Sequence, residues 1–239
     1  MTDKTARIVR ELRLHASKVT SFIADYHSSS SLLLFPLETT AKVFFLSPDR
    51  CRSEALTNGK QIVTIRNGSV VNRYVPQRDE IWRYDLADLP HSEPINYVIA
   101  DFMDPFFAVD EHTLKHEGLE NLSDTSVQVF TGGTRNWSKQ GLLDTRKGFS
   151  IPFQPKYPQF NLKLYLDSNT GMLRRVIGID RSGKQLLQAD YLIQSFNVPL
   201  SEALFAMDES TAKYKVIQFA DIMFASLNPD SAEAPPSIN

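Results

Sequence analysis

The chain has 239 residues, 42% of them hydrophobic, a formal net charge of −2 and one cysteine, Cys51. Such a length can bury a sizeable core in one large β domain or two small ones, of which one is expected; the near-neutral charge carries no nucleic-acid footprint or polybasic membrane patch, and a lone cysteine excludes an internal disulfide, a zinc-thiolate cluster or a CxxC redox pair. The longest apolar runs, Leu32 to Leu37 and Ala100 to Val109, fall far short of the ~20 residues that a membrane-spanning helix requires.

The opening residues, MTDKTARIVREL, are charged and lack the apolar centre of a signal peptide. The chain is therefore expected either to be cytosolic or to have had a targeting segment removed ahead of this numbering. Spacing predicts a helix from Thr2 to Ala16, with Ile8, Val9, Leu12 and Leu14 as a narrow apolar stripe. From Val19 the period changes to two, placing Phe22, Ala24 and Tyr26 on one face, and the strand is expected to end in a loop at Ser28 to Ser31. Leu32 to Leu37 is read as its resumption. In TTAKVFFLSP, residues Ala41, Val43 and Phe45 face one way, Lys42, Phe44 and Leu46 the other, and Pro48 stops the strand. A short strand over Arg50 to Leu56 follows.

Lys60 to Leu86 is the clearest stretch. KQIVTIR and SVVNRYV flank Asn67-Gly68, a strong two-residue hairpin signal, and a second turn at Pro76-Gln77-Arg78 leads into DEIWRYDL. Trp82, Tyr84 and Leu86 share a face there. Between Leu89 and Glu120 the pattern breaks: three prolines and a dense apolar set (Ile95, Val98, Ile99, Phe102, Met103, Phe106, Phe107) predict short helices lying across the open face of a sheet. Strands resume at Val127 to Phe130, a Gly132-Gly133 turn and Gly148 to Phe153. FNLKLYLD, MLRRVIGID and LLQADYLIQSF, joined by turns at Ser168 to Gly171 and Arg181 to Gly183, close the set. The fold class is mainly β within α+β: about eleven antiparallel strands, an N-terminal helix and mid-chain helices. A further helix is expected over 210–227, and the Pro- and Ala-rich 228–239 reads as a flexible tail or linker.

Several motifs invite chemistry and lose to plainer readings. His112 and His116 stand at i and i+4, a spacing that could hold a metal on one helical face, but no third ligand or HExxH order accompanies them, so a solvated charged helix is preferred. Asp167, Asn169 and Gly171 mimic a calcium loop with glycine one place early, which reads as a turn. Cys51 lies between Arg50 and Arg52, which would lower its pKa, yet a lone strand cysteine is usually inert. No GxSxG, triad or spaced carboxylate pair stands out. The residues single out no catalytic group, metal or cofactor.

The order of motifs, an amphipathic helix, VTSFIADY, KVFFLSPDRCR, IVTIRNGSVVNRYVPQRDEIWRYDL, mid-chain helices, LKLYLDSNTGMLRRVIGID, a long last strand and PLSEALF, resembles the bacterial outer-membrane lipoprotein-carrier superfamily of LolA/LolB type, with its periplasmic lipoprotein-sorting relatives. The resemblance covers Thr5 to Met207. It implies one incomplete, strongly curved β-barrel over 1–209, its mouth covered by helices and its interior holding acyl chains, in the periplasm or otherwise outside the cytoplasm. Partners would be lipid or lipoprotein acyl chains, or an envelope protein if the barrel serves as a sensor or docking module, and fusion to a further domain would fit the latter. The carriers place an arginine before the proline that ends the early strand; Ser47 stands there and shifts weight from shuttle toward sensor or generic binder. The expected cavity wall is Phe22, Ala24, Tyr26, Ala41, Val43, Phe45, Trp82, Tyr84, Leu86, Phe102, Met103, Phe106, Phe107, Leu162, Leu164 and Leu166. An ordinary packed core would show the same alternation.

Overall fold

In the computed structural model, residues 1–31, 37–75, 79–85, 104–106, 109–134, 160–207 and 213–216 are described. Helix α1 (Asp3–Ala16) starts where the Thr2 hydroxyl accepts the Thr5 amide N–H, with Asp3 in its first turn and Arg13 and His15 in its last, so both ends suit the helix dipole. It buries Thr5, Val9, Leu12 and Ala16, the i, i+4, i+7, i+11 positions of one face. Leu14, expected on that stripe, is 58% exposed.

The strands are β1 (Ser21–Ser30), β2 (Leu37–Leu46), β3 (Arg50–Thr57), β4 (Lys60–Asn67), β5 (Val70–Val75), β6 (Glu80–Asp85), β7 (Lys115–Leu122), β8 (Thr125–Gly133), β9 (Asn161–Asp167), β10 (Leu173–Ile179), β11 (Gln185–Phe196) and β12 (Lys213–Val216). They form one twelve-stranded sheet in the order β12-β6-β5-β4-β3-β2-β1-β11-β10-β9-β8-β7. Two meanders, β1 to β6 and β7 to β11, are thus joined by the first strand of one and the last strand of the other. Every pairing is antiparallel except β12 on β6. The sheet does not close, and the result is a curved half-barrel.

Several expectations are corrected here. Ser28 to Ser30 is strand, not loop, because Ser28 is held between Ala189 and Thr39 by ladders on both sides, which override the turn preference of serine. The Asn-Gly pair with two left-handed residues is Asn58-Gly59 (φ 46 and 78), between β3 and β4; at the second hairpin Asn67 closes β4 opposite Val70, and only Gly68 is left-handed (φ 64). Gly132 and Gly133 lie inside β8 rather than at a tip. A Cβ on Gly132 would stand 2.5 Å from Val109 Cγ1, so the buried Val109 side chain takes the space that a larger residue would need. Lys213–Val216, inside the helix expected over 210–227, is a strand on the β6 edge. The other expected elements at 32–36, 89–103, 148–153, 217–227 and the tail at 228–239 lie outside the described residues.

After β11 the chain crosses the outer side of the sheet. The Ser21 hydroxyl donates to the Val198 carbonyl, a 3-10 turn (Glu202–Phe205) packs on β3 and β4 with Phe205 buried, and Arg52 donates to the Leu204 carbonyl at 3.1 Å.

Candidate functional site: the inner wall of the half-barrel

Directly opposed residues of an antiparallel pair share a face, so the ladders order the inner wall into rungs. One rung runs Phe196, Phe22, Phe45, Cys51, Arg66, Val71, Tyr84 from β11 to β6. The next runs Ile193, Ala24, Val43, Ser53, Thr64, Arg73, Trp82, and a third runs Tyr191, Tyr26, Ala41, Ala55, Ile62. On the second meander Leu162, Leu164 and Leu166 of β9 face the same way as Phe130 of β8 and Val176 of β10.

The apolar part of this wall is continuous. One cluster takes in Val9, Leu12 and Ala16 of α1, Phe22 and Ala24, Val43 and Phe45, Cys51, Phe106, Phe130, the three β9 leucines, Ala189, Tyr191 and Ile193. Phe22 stacks on Phe45 with centroids 5.1 Å apart, Tyr26 leans on Tyr191 at 5.1 Å, and Phe106 meets Phe130 edge-on. Helix α1 lies across this wall. Its Leu12 carbonyl presses on the β9–β10 turn at Gly171, and Arg13 forks to Asp104 (3.0 Å) and Glu111 (2.8 Å) while sitting over the Phe106 ring. Burial alone would lower the pKa of Arg13, but the hydrogen bonds that it donates to those two carboxylates outweigh it and raise it.

Of the expected wall residues, Phe22, Ala24, Val43, Phe45, Phe106, Leu162, Leu164 and Leu166 therefore meet in one packed cluster, with Tyr26 and Ala41 half-buried at its margin. Trp82 is buried on β6, and its indole N–H donates to Glu80 at 2.7 Å. Ile81, its neighbour on the opposite face, is also buried, so β6 is not the one-sided strand that alternation suggested. Tyr84 is described by its strand position only; Leu86, Phe102, Met103 and Phe107 lie outside the described residues.

Alternation separates Cys51 from Arg50 and Arg52 and pairs it instead with Arg66. Burial pushes its thiol up to about 12 despite the opposing field of Arg66, so it is protonated at neutral pH. His116 is in β7, with Nε2 2.7 Å from Gln128 Oε1, and His112 is in the preceding turn; the shared helical face expected of them is absent because the strand begins at Lys115. Asp167 receives Arg174 at 2.8 Å and the amides of Asn169 and Thr170, which fill it as a turn-former.

A second concavity, of about 670 Å³, lies on the opposite face, across β11, β1, β2, β3 and β4. Its outward side chains include Asp25, His27, Lys42, Glu54 and Asp190, with Leu56 and Leu192 exposed at its rims. It touches the expected site only at Tyr26 and Ala41.

No protein-family profile and no curated protein matches the sequence. Solved structures do share the fold. The chain is similar to an uncharacterised conserved protein of Thermus thermophilus (TM-score 0.55, 16% identity, covering 87% of this chain and 98% of that one). It is also similar to the lipoprotein LppX of Mycobacterium tuberculosis (TM-score 0.52, 14% identity, 84% and 99% covered). A third is MucB in the MucA/MucB complex of Pseudomonas aeruginosa (TM-score 0.51, 12% identity), where 91% of this chain matches 64% of that one. The resemblance drawn from the sequence thus holds at the level of fold.

Proposed function

We propose that this chain binds the acyl chains of lipids or lipoproteins on the inner wall of the half-barrel, outside the cytoplasm, and performs no reaction on them. The observation that carries this reading is the wall itself: apolar rungs run without interruption through β9, β10, β11, β1 and β2 in a sheet that stays open. Likeness to a mycobacterial lipoprotein supports it. Burying a methylene is worth ~0.8 kcal/mol, so a sixteen-carbon chain gains on the order of 10 kcal/mol before ordering costs, and needs few polar contacts. Beneath α1 the wall is filled by the protein's own side chains. A guest therefore displaces the helix or lies beside it, over the half-buried Tyr26 and Ala41 and the adjoining Ala55. The covered wall spares water an apolar patch when no guest is bound. Among the described residues, no helix is long and apolar enough to cross a membrane.

Native mass spectrometry after gentle purification tests the reading. Co-purifying acyl lipid is expected; a lipid-free protein that also fails to bind a fluorescent fatty acid would overturn it. Ala41→Trp, which adds bulk at the margin of the core, should weaken that probe at least tenfold with little change in thermal midpoint. A second reading, docking of an envelope protein on the same barrel, draws on the likeness to MucB in complex with MucA. A stoichiometric protein in place of lipid in the same spectrum would favour it.

A further inference from the structure

The near-neutral net charge conceals an uneven distribution. Residues 3–18 hold five of the chain's 26 lysines and arginines and only two of its 28 acidic residues, so this stretch carries +3 on a chain of net −2. One of the five, Arg13, turns to Asp104 and Glu111. The other four, Lys4, Arg7, Arg10 and Lys18, are exposed on α1 and just beyond its cap at Ser17. Arg7 reaches Glu11 at 3.9 Å with both side chains more than half exposed, a pair that solvent screens. Lys4, Arg10 and Lys18 hold no ion pair among the described residues. Helical periodicity places Leu14 opposite the buried stripe of Thr5, Val9, Leu12 and Ala16, with Arg10 on one side of it and Arg7 on the other. That leucine is 58% exposed, although every other apolar side chain of the helix is buried or half-buried. Because Val9, Leu12 and Ala16 belong to the apolar cluster, whatever meets the outward face of α1 also meets the element that covers the wall.

We propose that the outward face of α1 docks on the surface of a membrane containing anionic lipid, with Lys4, Arg7, Arg10 and Lys18 among the headgroups and Leu14 entering the boundary with the acyl chains. The proposal goes beyond the acyl-chain reading and does not depend on it; where both hold, docking sets the cover of the wall against a source of guests. A Lys or Arg close to an anionic leaflet strengthens binding about fivefold, so four of them suffice for reversible attachment, and an inserted leucine adds to it. The rest of the chain, at −5 once that +3 is taken from −2, is repelled by the same surface and so turns α1 toward it. A helix face with a single exposed leucine offers too little apolar area for the core of a protein interface, whereas a fluid lipid surface requires no complementary shape.

The test is flotation of the full chain with vesicles of phosphatidylcholine alone and with vesicles of about one-third phosphatidylglycerol. At low salt, binding to the anionic vesicles should be at least tenfold tighter, and it should fall away near 1 M salt, where charges are screened within roughly 3 Å. Arg7→Gln/Arg10→Gln/Lys18→Gln should lower the preference to about twofold with little change in urea midpoint. Arg181→Gln/Lys184→Gln removes two exposed cations from the β10–β11 turn, at the other end of β10 from the α1 contact at Gly171, and should leave the preference intact. Leu14→Cys supplies a site for an environment-sensitive nitrobenzoxadiazole label, since Cys51 is buried and protonated, and the label's emission should shift to the blue on anionic vesicles. Equal binding to both vesicles, a preference that survives the triple substitution or is lost equally in the turn variant, or a label that stays in water on bound vesicles would each overturn the proposal. So would a label shift with polyglutamate but not with vesicles, which would assign the face to an acidic protein. None of these readouts scores acyl-chain uptake, which the fluorescent fatty acid measures separately, so either reading can fail without the other.

Discussion

Gly171 shows how one residue holds helix and sheet together. It sits in the β9–β10 turn at φ +70, and a Cβ there would stand 2.1 Å from the Leu12 carbonyl oxygen, in the backbone of α1. A side chain costs roughly 1–2 kcal/mol in left-handed backbone even where space is free. Gly183, at φ +88 with nothing within 4 Å, isolates that conformational cost. Gly183→Ala should therefore lose about 1 kcal/mol in urea unfolding, and Gly171→Ala clearly more, because α1 must also shift. Equal losses would show that the contact with Leu12 does not matter. A second residue-scale consequence concerns pH. Burial alone would raise the pKa of Asp167, but the hydrogen bond from Arg174 and those from the Asn169 and Thr170 amides win and hold its carboxyl below the usual range. A carboxyl lowered in the folded state stabilises the fold above its unfolded value, about 3.9, and loses that contribution as pH falls through the folded value. The stability gap between the unaltered chain and Asp167→Asn should hold from pH 7 to about 4 and narrow below it. Urea midpoints across that range measure it, and a constant gap would exclude the linkage.

At the scale of elements, α1 was legible because Thr2, Asp3 and the Val9–Leu12 spacing all act within a few residues of one another. The hairpins over Asn161–Asp167 and Leu173–Ile179, and the strand after them, were legible for the same reason. The misreadings share a cause: the deciding partner is distant in sequence. The serine run of β1 is strand through Ala189 and Thr39, Gly132 is explained by Val109 rather than by a turn, and Lys213–Val216 is extended because β6 offers it an edge. The turn at Asn58-Gly59 is different, since its signal is local: an Asn-Gly pair whose two residues both take positive φ. The way α1 is attached leads to a further expectation. Leu12 is buried in the cluster, and Leu12→Ala should cost about 2–5 kcal/mol. Arg13 and its two carboxylates are each more than a third exposed, so Arg13→Gln should cost about 1 kcal/mol or less. Urea unfolding of both variants would show whether packing or the ion pairs hold the helix; comparable losses would mean that the ion pairs matter more than their exposure allows.

At the scale of the whole molecule, alternation along single strands indicated a large antiparallel sheet but could not give its order. The decisive pairing, β1 with β11, joins residues such as Phe22 and Phe196 across most of the chain, and no local pattern encodes it. The same limit applied to the wall. Which residues face inward can be read two by two, as with Phe22, Ala24 and Tyr26, whereas the interleaving of Arg66 and Arg73 with Cys51, Val71 and Trp82 along the rungs appears only once the ladders are aligned. The β1–β11 joint also governs cooperativity. It lies mid-sheet, with β2 on one side and β10 on the other, and is locked at one end by Asn197, whose side chain accepts from the Thr20 amide at 2.8 Å and from its hydroxyl at 3.0 Å. If this joint makes one unit of two meanders, the amides of β1 and β11 exchange only through global unfolding, at a free energy equal to the total stability. The edges should open first: the four residues of β12, paired on one side only among the described residues, exchange fastest, and β7, bent at Gly118 and carrying the exposed Leu119, comes next. Hydrogen exchange followed by mass spectrometry across a denaturant series checks this ordering. Should β7 to β11 exchange as one block at a lower free energy than β1 to β6, the meanders are separable units, and an acyl chain laid across both would be expected to tie them, merging the two transitions into one when it binds.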